Sequence, residues 1–398
     1  MTAKYGLPED VRFCARCVMS NQRPSSTPEF RHGAASTKQT IAFDDDGVCS
    51  ACRVVESKTR VDWEDRAREL RALCDEHRRD DGRYDCIVPG SGGKDSITAA
   101  WLLRHEYGMH PLTVTWAPHL YTDWGRRNFD RWIGAGFANM LVTPNPVTHR
   151  RLTRLALDNV FHPFQPFILG QKIAPTRIAT QFGVRLVFYG ENEAEYGNPA
   201  GTALSAQRSP DFHQSDSDDL RLGGVPVHTL LASRIATRAD LAPYLPLTRE
   251  EAARVDVRYM GYYHRWHPQA EFYAAAERCG FEPAPERSAG SYSRYSSIDD
   301  KLDDLHYWTT FIKFGIGRAT YDASQEIRSG DLTRDEGIAL VRRYDGEFPE
   351  RFLPDLCEYL SPPGTGLEPM TPERLLAMAD AFRSPHLWDG AQLRHRVG

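Results

Sequence analysis

Nothing in these 398 residues supplies a run of about 18 apolar side chains, so no bilayer-spanning helix is expected. A basic-then-apolar leader is also missing, which makes the cytoplasm the expected location and a membrane partner unexpected. Positive charge is not in excess: 49 Lys and Arg face 54 Asp and Glu, giving a net charge of -5. That balance speaks against a surface built to cover nucleic acid, which needs clustered cations. Even the arginine-rich stretch from Arg60 to Arg83 is interleaved with Asp62, Glu64, Asp65, Glu69, Asp75 and Glu76, and reads as a solvated helix. Eight cysteines in a chain without an export signal speak against a disulfide framework.

What is present begins with Asp85-Cys86-Ile87-Val88-Pro89-Gly90-Ser91-Gly92-Gly93-Lys94-Asp95-Ser96. A short apolar strand runs into a glycine turn, and a helix starts near Lys94. Ser91, Gly92 and Gly93 have little or no side chain, so backbone N–H groups can close on an anion, helped by the helix N-terminus and by Lys94. The common nucleoside-triphosphate loop needs a glycine where this chain has Val88 and a Ser or Thr where it has Asp95. The turn is a phosphate trap of another kind.

Cys14-x-x-Cys17 and Cys49-x-x-Cys52 form two knuckles that together complete a tetrahedral site with no position left for substrate. Structural Zn²⁺ is the expected occupant, with an iron–sulfur or redox use as the alternative. The residues between the pairs are too polar to fold unaided, so the ion would supply the missing free energy. Cys74, Cys86, Cys279 and Cys357 are isolated and read as packing residues.

After the glycine turn, apolar β-branched runs at Leu112 to Ala117, Phe137 to Thr143 and Arg185 to Tyr189 alternate with helical patterns near 126 to 134, 147 to 158 and 170 to 182. The alternation predicts an α/β fold with a doubly wound, mainly parallel sheet, whose ligand lies beyond the C-terminal ends of the strands. Ser91 to Ser96, Trp116 and Gly190 form the expected nucleotide-binding set, and His119, Glu191 and Asn192 at other strand ends are candidates for substrate or a divalent cation such as Mg²⁺. The expected plan has a zinc-ribbon-like module with the paired cysteines over 1–60, a linker helix over 61–80, a nucleotide-binding domain over 81–250, and a mainly helical cover over 251–398. In that cover Lys313 and Arg318 bracket Gly315 and Gly317, a layout that lets cations approach phosphate and stabilise departing charge. Asp299 and Asp300 could hold Mg²⁺ as paired carboxylates or cap the helix after them, and capping is the favoured reading for Asp299.

Ser-Gly-Gly-Lys-Asp-Ser resembles the pyrophosphate loop (PP-loop) of the N-type ATP pyrophosphatases. Beyond that loop, Pro118 to Asp123, His162 to Lys172, Tyr189 to Asn192, Tyr262 to Trp266, Ser288 to Lys301 and Lys313 to Thr320 closely resemble blocks of the N-acetyl sugar amidotransferases. The resemblance implies adenylation of a sugar acetamido oxygen by ATP with Mg²⁺, then displacement of AMP by ammonia to leave an acetamidino group. It also implies a nucleotide-linked N-acetyl sugar as acceptor, and ammonia from a separate glutaminase subunit with a cyclase-like subunit. Lys94 and Asp95 carry the catalytic expectation with Lys313 and Arg318; Lys172 and Tyr292 join the substrate candidates. The chain departs from the family pattern at Ser288 to Tyr292 and in the long stretch from Asn198 to Pro226, both expected near the acceptor. Rival readings are a transfer-RNA thiolase, an adenylating enzyme for a non-sugar acceptor, and a nucleotide-binding subunit without chemistry.

Overall fold

A computed structural model describes residues 2–198 and 205–398. Part of the Asn198 to Pro226 stretch therefore lies outside the described residues. Five strands, Cys86–Pro89 (β1), Pro111–Trp116 (β2), Asn139–Val142 (β3), Leu186–Tyr189 (β4) and Asp256–Tyr259 (β5), form one sheet in the order β3-β2-β1-β4-β5, with every pair parallel. Both faces of β1 and β2 are covered, and every residue of those strands is buried, which is why they read as continuous apolar runs rather than alternations.

The strand order reverses between β1 and β4, because β2 leaves on one side of β1 and β4 returns on the other. Loops after these two strands diverge and leave a crevice, the usual ligand position in such sheets.

The helices are Ser50–Lys58 (α1), Trp63–His77 (α2), Lys94–Trp101 (α3), Asp123–Gly134 (α4), Pro146–Val160 (α5), Gln165–Phe182 (α6), Pro268–Cys279 (α7), Leu302–Phe314 (α8) and Arg318–Ser329 (α9), with further helices toward the C-terminus. Local chemistry sets their ends. Asp62 accepts from the N–H groups of Glu64 and Asp65 to start α2, and Asn145 with Pro146 starts α5. α7 stops at Gly280, whose φ of 69° suits glycine, and α8 stops at Gly315 in the same way.

Two expectations need correction. β5 lies beyond residue 250, so the boundary drawn there cuts the sheet; its sequence, Asp-Val-Arg-Tyr, is a short edge strand with two charges and gives no apolar run. Asp299 does not cap α8: the N–H of Leu302 donates to Asp300, and Asp299 turns elsewhere.

The N-terminal module is not a tethered accessory. Cys14, Met19, Phe30 and Ile41 share one apolar core with Leu302, Trp308, Ile312 and Leu356 from the C-terminal helices. Polar ties join the same regions: the Lys4 amide donates to Ser384 Oγ at 2.8 Å, and Gln22 Oε1 lies 3.0 Å from His386 Nε2. Among the described residues, no helix is long and apolar enough to cross a membrane.

Candidate functional site

The crevice at the strand reversal opens into a cavity of about 540 Å³. Its floor is the turn after β1. Gly92 has φ +84°, and a Cβ there would lie 2.8 Å from the Phe129 Cα, so both backbone sign and space demand glycine. Gly90 is equally constrained, since a Cβ would meet Ser96 Cβ at 2.1 Å. Gly93, by contrast, meets nothing within 4 Å: its open face looks where an anion would sit at the N-terminus of α3. Ser96 supports the turn from behind, its hydroxyl donating to the Gly93 carbonyl at 2.9 Å.

Lys94 is 5% exposed, and its ammonium donates to both oxygens of Asp95 at 2.6 and 2.7 Å. Trp266 Nε1 donates to the same carboxylate at 3.0 Å. Across the crevice stands Glu191, whose Oε1 accepts from Tyr196 at 3.3 Å. Burial first, and the Asp95 charge second, push the Glu191 carboxyl up to about 7. Two carboxylates beside an anion-holding turn can accept a divalent cation, which would relieve that repulsion.

The walls come from distant parts of the chain. Arg23 and Ser26 arrive from the cysteine-rich module, Lys172 from α6, and Arg208 from the stretch before β5. Arg208 donates to Glu193 at 2.7 Å and lies 4.6 Å from the Tyr189 ring centre; burial brings Lys172 down to about 8. Ser296 to Asp299, Tyr307, Tyr321, Asp322 and Gln325 close the other side. Burial lifts the Asp299 carboxyl, and a hydrogen bond from Ser91 opposes the rise. Ser297 sits at φ +42°, uncommon for a residue with a side chain, and the turn is held by Arg318, which donates to the Ser296 carbonyl.

Ser91, Gly92, Gly93, Lys94, Asp95, Lys172 and Glu191 therefore meet at one cavity. Several other candidates do not reach it. Trp116 is core: a Cβ at Gly170 would lie 2.2 Å from its ring, which packs edge-on to Tyr244 at 5.4 Å. His119 has a side chain with 0% exposure, bonded through Nδ1 to Asp300 at 2.7 Å and stacked between His149 and Phe167. Asn192 caps the turn at Glu193–Tyr196, accepting from the Ala194 amide. Gly190 serves by close approach, a Cβ there lying 3.1 Å from Asp95 Cβ. Tyr292 donates to Glu326 at 2.7 Å.

Lys313 is spent differently from the expectation that it meets phosphate: its ammonium donates to the Val160 carbonyl at 2.7 Å and faces a neighbouring, smaller cavity. Arg318 is buried against Asp322 and the Tyr307 ring, so it orients the Ser296–Ser297 turn instead of presenting free donors. Flanking glycines suggested access, whereas burial decides it.

The four N-terminal cysteines converge. Cys14 and Cys52 sulfurs are 3.9 Å apart, those of Cys17 and Cys49 3.7 Å, and all four lie within 4.8 Å of one another. A buried set of four soft thiolate donors fits tetrahedral Zn²⁺ with no open position. Amides of Arg16, Cys17 and Cys49 point at Cys14 Sγ, and Arg328 reaches Cys17 Sγ at 3.9 Å, which offsets thiolate charge.

Comparison with known proteins bears on one wall of the cavity. Residues 289–397 match the family described as LPS biosynthesis protein WbpG-like, C-terminal domain. That segment is the one that supplies Ser296 to Asp299, Tyr307, Tyr321, Asp322 and Gln325. The match is consistent with a sugar-modifying biosynthetic role. A stretch of 80 residues, 20% of this chain, is 30% identical to the uncharacterized protein MJ1599 of Methanocaldococcus jannaschii and covers 28% of that protein. The chain thus spans little more than a quarter of this curated relative's length.

Proposed function

We propose that the protein is an ATP-dependent, AMP-forming amidotransferase of the PP-loop type, acting on the acetamido group of an N-acetyl sugar that the cavity walls select. The observation that carries this reading is the shared cavity: the glycine turn after β1 and the segment matched to a lipopolysaccharide-biosynthesis domain face the same space. In this reading the turn from Ser91 to Ser96 holds the β and γ phosphates of ATP, and Asp95, Glu191 and Asp299 are the residues that would hold Mg²⁺. Such an ion would neutralise phosphate charge.

The chemistry follows from an amide's poor leaving group. The acetamido oxygen attacks the α-phosphorus, the bond to the β-phosphate oxygen breaks, and pyrophosphate leaves. The carbon now carries AMP as a good leaving group; ammonia adds, AMP departs with the former amide oxygen, and one proton is released with the acetamidino product. Lys94 offsets charge on the departing pyrophosphate, and the fixed donors of the turn need no reorganisation to do so. Arg23, Lys172 and Arg208 supply the cationic wall that would take the diphosphate of a nucleotide-linked acceptor.

The thiolase reading is weaker because no cysteine is among the described residues lining the cavity, and Cys86 is 0% exposed. The domain plan is retained with one change: the nucleotide-binding part runs on through β5. Ammonia delivery by a glutaminase partner with a cyclase-like subunit is part of the proposal, as is a location in the cytoplasm. The test is incubation of purified protein with ATP, Mg²⁺, ammonium and a panel of nucleotide-linked N-acetyl sugars. AMP and pyrophosphate formed only with an acceptor support the reading; ADP and phosphate, or no acceptor dependence, overturn it.

A further inference from the structure

A second group of metal-ligating side chains lies outside both the cysteine cluster and the main cavity. Glu29 sits in a short helical turn, Glu29–Arg31, and His32 follows it; His162 arrives from the end of α5, where Phe161 at φ 48° turns the chain inward. Glu29 Oε2 is 2.9 Å from His32 Nδ1 and 3.6 Å from His162 Nε2, and one ligand atom from each of the three residues falls within 4.8 Å of the others. The side chains of Glu29, His32 and His162 are 7%, 5% and 13% exposed. Gln165 Nε2 donates to the Glu29 carbonyl at 2.9 Å and pins the turn that aims the carboxylate.

These groups face a side cavity of about 170 Å³ that shares Arg23, Ser26, His306, Thr310 and Tyr321 with the main one. His306 contributes an Nδ1 that is buried without a hydrogen-bond partner among the described residues, with its ring 5.2 Å from that of His162. A polar occupant of the side cavity would satisfy it.

We propose that Glu29, His32 and His162 bind a second divalent cation of the first transition row, with Zn²⁺ the reference ion and a coordination position open to the side cavity. Two imidazoles and one carboxylate suit such an ion better than Mg²⁺ or Ca²⁺, which prefer all-oxygen shells. Three protein ligands leave the fourth tetrahedral position free, unlike the closed set of four cysteines. Both rings are largely enclosed, and the neutral imidazole is the form that coordinates. Lys38, 3.8 Å from Glu29 Oε1, balances the carboxylate when no ion is bound and competes with one that arrives. Lys313, which also faces the cavity, is brought down to about 7 by burial and by Lys38, so it offers less opposition than an ordinary lysine.

The second ion is independent of the amidotransferase reading, and its test uses no activity. The full chain, stripped of weakly held metal, is titrated with Zn²⁺ and with Co²⁺, and bound metal is measured by elemental analysis alongside the cobalt spectrum. Two ions per chain are expected: one giving the intense thiolate-to-cobalt band, the other only weak visible bands of nitrogen and oxygen ligation. H32A and H162A should each remove the second ion and keep the thiolate band, which doubles as proof that the variant has folded. K38M should bind the second ion more tightly. A wild-type chain that saturates at the single thiolate-bound ion overturns the proposal, as does a second ion that both histidine variants retain. Anomalous scattering from metal-soaked crystals gives an answer that needs no variant: a peak among these three side chains upholds the site, and its absence under saturating metal overturns it.

Discussion

The floor and the walls of the main cavity are built by opposite strategies. The floor is one local segment, Ser91 to Asp95, whose geometry follows from a strand, two constrained glycines and a helix start. The walls gather Arg23, Lys172, Arg208, Asp299, Tyr321 and Gln325 from across the chain. A local floor can grip a phosphate wherever the fold occurs, because backbone amides do the work. Scattered walls exist only when the whole molecule is assembled, and they are the parts free to select an acceptor. In the proposed function, reaction type and substrate choice are thus carried by different parts of the chain.

Lys94→Ala is the strongest way to break that division. It should lower AMP formation by ~10²–10³-fold with any acceptor, since the lost cation serves the departing pyrophosphate. Rates measured across the acceptor panel check this; a loss seen with only one acceptor would place Lys94 among the walls. Next comes the cysteine clip, which carries Arg23 and Ser26 to the cavity. Cys14→Ser, or metal stripped by a chelator, should lower Tm by ~10 °C or more, as expected when a structural ion contributes folding free energy. Calorimetry with and without added Zn²⁺ measures it, and an unchanged Tm would make the clip dispensable.

A smaller effect sharpens the role of the matched segment. Gln325 donates to Tyr196 at 3.1 Å and lines the wall. Gln325→Ala should raise the acceptor KM by about fivefold while ATP binding is kept, the loss of roughly one hydrogen bond. Steady-state kinetics with each substrate varied in turn decide it. The last effect is on stability and not on turnover: a pH slope. Glu191 gives up its proton near 4.5 when unfolded and near 7 when folded, so the folded chain holds the extra proton between those values. Stability from this group therefore falls as pH rises from about 4.5 to about 7, and Glu191→Gln should flatten that part of the Tm profile.

What the sequence disclosed follows the same division. Strands β1, β2 and β4 were legible because buried parallel strands read as apolar runs, β3 because Met140-Leu141-Val142 is apolar although it is not buried, and the two Cys-x-x-Cys pairs because spacing alone encodes a knuckle. β5 was not, since an edge strand of Asp-Val-Arg-Tyr leaves no such run. Among site residues, Ser91 to Asp95 and Glu191 could be read from their places at strand ends. Arg23 and Arg208 carry no local mark; only tertiary packing brings them in. Lys313 and Arg318 show the converse failure: glycines beside a cation suggest an open anion site, but the helices around them bury both side chains against partners of their own. Trp116 shows it again, at a strand end yet turned into the core against Gly170.

The central claim is that the α-phosphorus of ATP meets the oxygen of an acceptor amide above the Gly92–Gly93 turn. The direct measurement is a turnover with an acceptor whose acetamido oxygen carries a heavy-isotope label, followed by mass spectrometry of the nucleotide released. AMP that carries the label, with pyrophosphate that does not, is the predicted result. Label found in inorganic phosphate, or left in the sugar product, would contradict it.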